Sequence, residues 1–197
     1  MERNVTSLLF VILVAFVAIH FSCAPAYIPN VVTTPMLGDK GEFAGSLNIG
    51  ISGFDPQVGY AVTEQIGIIA NGSFRNTSSD SSANFHKHIF AEFGGGYFTK
   101  IGNVFRFEAY GGGGAGRINA EFDNKLFISY ADVFSTRVFL QPSLGLVTDV
   151  VEIAFSTRFV YVNLMQDGNK VASPFIEPAL TAKLGYKPVK AMMQLGF

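Results

Sequence analysis

Residues 86–116 read HKHIFAEFGGGYFTKIGNVFRFEAYGGGGAG, and this stretch decides the fold. Its side chains alternate between an apolar face and a face of charges, histidines and glycines. Alternation over more than four residues is typical of a β-strand, because successive side chains point to opposite sides. A short Lys-Ile-Gly-Asn break at 100–103 predicts a tight turn between two strands. The apolar face carries Ile89, Phe93 and Tyr97 before the turn and Phe105 and Phe107 after it.

An uncharged aromatic face opposite a charged face indicates a membrane β-barrel, with lipid outside and a polar lumen inside. The same alternation recurs from Gly41 to Phe197 and gives about nine strands. Bacterial single-chain barrels have an even number of strands. The sequence therefore predicts an all-β, antiparallel up-and-down transmembrane barrel of a probable ten strands, nine of them in this chain. A complete eight-stranded barrel is the alternative.

The composition of the 197 residues fits this class of protein. Hydrophobic residues make up 49% and charged residues 15%, below the ~25% charged residues usual in soluble domains. The formal net charge is -1. A protein that binds nucleic acid needs a basic patch, so this balance gives no support for such a partner.

The N-terminal 22 residues are predicted to form a signal peptide, as a signal helix with an apolar run from Leu8 to Phe21. Cys23, the sole cysteine, follows this run directly, and a lone cysteine has no disulfide partner. The pattern favours a lipoprotein that is acylated at Cys23. Ordinary signal cleavage after Ala26 is one alternative, and an inert Cys23 inside the leader is the other. Residues 23–40 are then a periplasmic tether, and residues 41–197 are the outer-membrane barrel.

The predicted breaks between strands differ in length. Those near residues 64, 101, 149 and 187 are tight, those near 80 and 168 are longer and polar, and the one near 123 ends an extended hairpin. Short periplasmic turns and longer extracellular loops have this asymmetry, which predicts a periplasmic N-terminus. Pro142 and Pro178 lie within predicted strands, and because proline cannot donate to a β-ladder, a bulge is expected at both.

Eight charged side chains are predicted to face the lumen, with both signs in near balance. Charges in a narrow interior are expected to form ion pairs, and side chains fill the interior of a barrel of this size. A catalytic carboxylate pair of Glu92 and Glu108 is the alternative. His86 and His88 share the inward face and are weak candidates for a metal site, and no cofactor is predicted. The eight charges are Glu92, Arg106, Glu108, Arg137, Glu152, Arg158, Glu177 and Lys183.

Several short segments carry a resemblance to a known family. They are CAPAYIPN at 23–30, GEF at 41–43, GYAVT at 59–63, ANGS at 70–73, FHKH at 85–88 and FIEPALT at 175–181. In these the chain resembles small outer-membrane β-barrel lipoproteins of Bacteroidetes-type bacteria. The resemblance covers Cys23 to the end, implies architecture and location only, and implies one more closing strand after residues 194–197.

The sequence leaves three functional hypotheses open. The first is a structural or binding barrel with a filled lumen, whose loops at 76–85, 116–126 and 166–171 meet an unknown extracellular partner. The second is an outer-membrane enzyme that modifies lipid or lipopolysaccharide, and the third is a small pore. The expected partners are outer-membrane lipid and the barrel-assembly machinery.

Overall fold

A computed structural model describes residues 27–78, 85–123, 128–186 and 189–196, so the predicted signal helix and Cys23 lie outside the described residues. Among the described residues there is no helix that is long and apolar enough to cross a membrane. The described chain contains nine β-strands. They are β1 (Phe43–Gly50), β2 (Gly53–Ala61), β3 (Ile66–Ser78), β4 (Phe85–Ile101), β5 (Phe105–Asp123), β6 (Ile128–Val147), β7 (Val151–Gln166), β8 (Asn169–Tyr186) and β9 (Val189–Gly196).

The nine strands form one antiparallel sheet in sequence order, which closes almost completely into a barrel. This confirms the all-β, up-and-down barrel that the alternation predicts. We call the end where β2–β3, β4–β5 and β6–β7 connect the lower end, and the end where β3–β4, β5–β6 and β7–β8 connect the upper end. The strands β4 to β8 have 16 to 20 residues, whereas β1, β2 and β9 have only 8 or 9.

The barrel is open between β1 and β9. In the described part of the chain, β1 pairs with β2 and β9 pairs with β8, but β1 and β9 do not pair with each other. β1 and β9 run in the same direction, so one strand that is antiparallel to both would fit between them. A cavity of about 540 Å³ lies at this opening.

The alternation of side chains sorts the barrel into an apolar outside and a mixed interior. Along β7, Ile153, Phe155 and Phe159 point outward and are 45–54% exposed, whereas Ser156 and Arg158 point inward and are fully buried. Apolar residues therefore form the outward face of this strand and polar residues its inward face. The interior also holds large aromatic side chains that glycines on the neighbouring strands accommodate, namely Phe90, Tyr110 and Phe139.

Two strand boundaries differ from those that the sequence predicts. Residues 53–56, Gly-Phe-Asp-Pro, have the composition of a turn, but they begin β2, and the turn is made by Ile51 and Ser52. The predicted loop at 166–171 is a two-residue turn of Asp167 and Gly168 between β7 and β8. Both residues have positive φ, 49° and 81°, which a tight hairpin turn requires.

The predicted bulges at the two prolines are wrong, because the strand register is constant across both sites. The β6–β7 pairing passes over Gln141 and Pro142 and resumes in the same register. A proline has no N–H to donate, and the ladder is interrupted only locally. Pro178 lies opposite Thr157 in an unbroken β7–β8 ladder.

Residues 27–38, which the sequence predicts to be part of a tether outside the barrel, run inside it, whereas Asp39 and Lys40 are exposed. Tyr27, Asn30, Met36 and Leu37 are at most 8% exposed. We call residues 27–38 the lumen segment. Two of its apolar side chains pack against the lower wall, Leu37 against Ala61 and Phe98 and Met36 against Val147. The segment lies inside because the barrel wall satisfies its backbone groups, as described below.

Gly112→Ala is expected to destabilise the barrel by about 1–3 kcal/mol, because overpacking strains a filled interior. A Cβ at Gly112 overlaps the Phe93 carbonyl oxygen and lies 2.8 Å from the Phe139 ring. Its neighbour Gly111 faces outward, and the nearest atom to its Cβ is 3.6 Å away. Gly111→Ala is therefore the matched control, with an expected change of at most about 0.5 kcal/mol. Urea unfolding of both variants in lipid vesicles measures the difference, and equal stabilities contradict the prediction.

Candidate functional site

An ionic cluster lies at the centre of the lumen, where the inward faces of β4, β6, β7 and β8 meet. Arg158 donates from Nε to Glu177 at 2.9 Å and lies 3.2 Å from Glu92 through Nη1. Arg137 donates from Nε to the other oxygen of Glu92 at 2.5 Å. All four side chains are at most 8% exposed. Two guanidinium groups face two carboxylates, so the cluster is neutral.

Two residues of the lumen segment complete this central cluster. The Tyr27 hydroxyl donates to Glu177 at 2.6 Å and accepts from Arg137 at 2.9 Å. The Asn30 amide oxygen accepts from both guanidinium groups, at 2.6 Å from Arg137 and 2.7 Å from Arg158. The Asn30 amide nitrogen donates to Glu92 at 3.2 Å. The lumen segment is therefore part of the network of charges.

Aromatic rings surround the two guanidinium groups. Arg137 lies 3.9 Å from the ring centroid of Phe90, and Arg158 lies 5.5 Å from that of Phe139. Guanidinium groups stack favourably on aromatic faces. Desolvated charges are stabilised only when their hydrogen bonds are satisfied, and here carboxylates, an amide, a phenol and ring faces all contribute. This arrangement favours a fixed structural role for the cluster.

A second group of charges lies below the central cluster, at the opening between β1 and β9. Glu152 is paired with Lys183 at 3.0 Å and with Lys190 at 2.8 Å. Arg106 is paired with Glu42 at 3.4 Å. These side chains are 9–23% exposed, and all five residues line the cavity at the opening. Lys190 and Glu42 were not among the charges that the sequence singled out.

Glu108 belongs to neither cluster. Its side chain is 1% exposed, and its Oε2 accepts a hydrogen bond from the Met36 backbone amide at 3.0 Å. Its Oε1 has no hydrogen-bond partner among the described residues. Glu92 is held by two arginines in the central cluster, so the two carboxylates of the alternative catalytic pair lie in different surroundings.

Side chains of the wall hold the backbone of the lumen segment across the opening. The Gln194 side-chain amide on β9 both accepts from the Val32 N–H and donates to its C=O, each at 2.8 Å. On the other side of the opening, Asp55 and Gln57 on β2 bind the N–H and C=O of Val31, at 3.3 Å and 2.6 Å. Buried backbone groups need such partners. The segment therefore bridges the two sides of the gap.

The two predicted metal candidates lie at the upper end of the lumen and bond to each other. The His86 Nε2 atom is 3.1 Å from Nδ1 of His88, whose Nε2 is 2.9 Å from the Ser73 hydroxyl. In a catalytic series a nucleophile contacts a base, and a third residue orients the base; Ser73, His88 and His86 follow each other in this order. However, Ser73 is only 2% exposed, so the series ties β3 to β4. Among the described residues, no group of three or more His, Cys, Asp or Glu is placed to hold a metal ion.

Sequence reasoning missed the contribution of the lumen segment. Tyr27 and Asn30 lie in a stretch without strand or helix periodicity, and Gln57 and Gln194 look like ordinary lumen residues. One signal was present: residues 27–38 contain no charged side chain. Exposed linkers and disordered segments are usually rich in polar and charged residues, so an uncharged stretch of this length favours burial.

Comparison with known proteins found no match to a family model, to a curated protein or to a solved structure. The resemblance to Bacteroidetes-type lipoproteins therefore stays a prediction.

Proposed function

We propose that this protein is an outer-membrane β-barrel lipoprotein whose own N-terminal segment seals its lumen. Its role is structural, or it binds an external partner through the loops at the upper end. Lipid anchoring at Cys23, contact with outer-membrane lipid and insertion by the barrel-assembly machinery are parts of this proposal. A conducting pore and a lipid-modifying enzyme are the competing functions.

The filled centre of the lumen is the observation that carries this proposal. The side chains of Tyr27 and Asn30 occupy the centre of the barrel and bind both arginines of the central cluster. Below them, wall residues from β2 and β9 hold the backbone of the segment. A water-filled channel needs a lumen without such a filling, so the arrangement favours a plugged barrel over a pore.

The outward surface supports a membrane location. On β7 the apolar outward face runs from Ile153 to Tyr161, which corresponds to the 9–11 residues of a spanning strand. Soluble monomers rarely expose contiguous apolar patches above a few hundred Å². Outward residues above this band are polar on several strands, as Asn76, Lys87, Arg117 and Asp132 show.

Tryptophan fluorescence tests the membrane location, because the chain contains no tryptophan. Phe155→Trp places a single tryptophan on the outward face, at a residue that is 54% exposed, and Phe139→Trp places one in the lumen, at a residue that is 6% exposed. In vesicles of lipids with brominated acyl chains, we expect at least a two-fold stronger quenching of the emission of the Phe155→Trp variant than of the Phe139→Trp variant. Equal quenching of the two variants contradicts a lipid-facing surface, as does quenching of the Phe155→Trp variant by aqueous acrylamide instead of by the lipid.

A further inference from the structure

The cavity of about 540 Å³ at the opening between β1 and β9 has a polar interior and a side exit through the barrel wall. Residues 33–36 of the lumen segment form its inner side, and the bonds between Gln194 and the Val32 backbone lie above it. In the described part of the chain β1 and β9 do not pair, which leaves the wall open beside the cavity. Sites for small molecules have volumes of about 300–1,000 Å³, so the cavity can hold a ligand that enters from the side.

Cationic side chains outnumber carboxylates in the lining of this cavity. The five charged residues are Arg106, Lys183, Lys190, Glu42 and Glu152. Arg106 binds the Met36 carbonyl and Glu42 through Nη1, and its Nε and Nη2 groups make no hydrogen bond to the described residues. Arginine and lysine bind phosphate groups, and arginine does so with two parallel hydrogen bonds. The lining therefore suits a phosphate group with a single negative charge, which balances the excess cation.

The charges of the cavity lie at the lower edge of the apolar band. Glu152 directly precedes Ile153, the first residue of the band on β7, and Lys183 lies opposite Glu152 on β8. In a bilayer the polar headgroups begin where the hydrocarbon core of about 30 Å ends. The cations of the cavity are therefore at the height of the phospholipid phosphates in the leaflet around the lower end.

An apolar groove on the outward surface continues from the cavity. Phe43 and Val58 line both the cavity and this groove, which has a volume of about 560 Å³. Its floor includes Gly95 and Gly111, which lie opposite each other on β4 and β5 and leave room for a ligand because they have no side chain. Each of the two glycines is six residues from the lower end of its strand. The groove therefore runs from the lower end towards the middle of the barrel.

We propose that a membrane phospholipid binds at this opening, with its phosphate in the cavity and one acyl chain in the outward groove. This inference depends on the proposed membrane barrel. A phospholipid joins an anionic headgroup to an apolar chain, and the site joins cations at headgroup height to an apolar groove towards the bilayer centre. Phe43 on β1 and Met193 on β9, which are 66% and 64% exposed at the two sides of the opening, supply further apolar contacts.

A β-strand of another polypeptide is the competing occupant of the opening, because exposed strand edges pair readily with other chains. Such a strand supplies partners for the backbone of β1 and β9. Its backbone does not supply the negative charge that the cavity favours, and the floor of the outward groove on β4 and β5 lies away from the gap. A phospholipid accounts for both the cavity and the groove.

Native mass spectrometry of the full chain, released from membranes in a mild detergent, tests the inference. The protein is then stripped of lipid and titrated with three probes. These are dioleoyl-phosphatidylglycerol, dioleoylglycerol, which lacks the phosphate, and inorganic phosphate.

Two variants and two matched controls separate the cavity from the groove. Arg106→Gln removes a cation of the cavity, and Gly111→Leu fills the groove. Lys100→Gln is the control for the cavity, because Lys100 forms an exposed pair with Asp39. Ala91→Leu is the control for the groove, because Ala91 lies on the outward face of β4 beyond the groove. Heat-modifiable migration shows that each variant folds.

The inference predicts that one phosphatidylglycerol stays bound to the wild type. Its affinity should fall about ten-fold in Arg106→Gln, which loses hydrogen bonds to a charged group, and about three-fold in Gly111→Leu, which loses apolar contact. The two controls should bind like the wild type, and dioleoylglycerol should bind about ten-fold more weakly than the phospholipid. Wild-type affinity of both Arg106→Gln and Gly111→Leu overturns the inference, as does equal binding of dioleoylglycerol.

The other occupants give different results. Inorganic phosphate that binds as tightly as the phospholipid shows a phosphate site, and a polypeptide or a second copy bound to the protein from membranes shows a docking site for a strand. Either result overturns the inference. Loss of lipid binding in a protein whose Phe155→Trp variant is quenched by brominated lipid contradicts the inference alone. Absence of that quenching contradicts the proposed function as well.

Discussion

Replacing Arg158 by leucine is expected to destabilise the barrel by about 3–5 kcal/mol, because it leaves two buried carboxylates without one of their cations. Glu177 loses its 2.9 Å partner and, among the described residues, keeps the Tyr27 hydroxyl, whereas Glu92 keeps Arg137. The Asn30 amide oxygen also loses one donor. The free energy of unfolding in lipid vesicles, from urea titration, measures this effect.

A double-mutant cycle identifies the partner of Arg158. Glu177→Gln in the Arg158→Leu background should recover more stability than Glu92→Gln, with a coupling energy of about 1–3 kcal/mol. Lys100→Ala is the control, since its pair with Asp39 is 44% and 71% exposed and exposed pairs contribute at most about 1 kcal/mol. Additive effects with both glutamates show that the central cluster does not act as a network.

The strand framework could be predicted from the sequence because β-strands have a simple period. One apolar residue in every two, over stretches such as Val151–Tyr161, determines both the strand and its outward face. Boundaries were harder to place where turn-forming residues lie inside strands. Asp55 and Pro56 resemble a turn but pair with β1, because pairing with a neighbouring strand outweighs local preference.

The central cluster could be predicted only in part. The alternation of side chains along each strand predicts four of the inward charges that the structure brings together, namely Glu92, Arg137, Arg158 and Glu177. The pairing of these charges depends on the curvature of the sheet. The alternation along a single strand carries no information about that curvature. Glu108, on the same face of β5 as Arg106, instead binds the backbone of the lumen segment.

The lumen segment could not be predicted from periodicity, because its contacts are specific to single side chains. The two hydrogen bonds between Gln194 and Val32 join residues that are 162 positions apart. An irregular segment buried in a barrel is stable only where the wall supplies a partner for each backbone group. Such complementarity becomes visible only when the wall and the segment are seen together.

Deleting residues 27–37 is expected to open a path through the barrel. The deletion removes Tyr27 and Asn30 from the central cluster, together with the backbone that β2 and β9 side chains hold across the opening. Because loss of these partners can also impair folding, Asn30→Leu serves as a milder variant that weakens the hold of both arginines on the segment. Pro29→Ala, at an exposed position of the same segment, is the matched control.

Single-channel conductance in planar lipid bilayers tests the sealed lumen most directly. Folded wild-type protein and the Pro29→Ala variant should show no conductance. The deletion variant should conduct in discrete steps, and the Asn30→Leu variant should show brief, irregular openings. Steady conductance of the wild type, equal to that of the deletion variant, contradicts a lumen that is sealed by its own N-terminal segment.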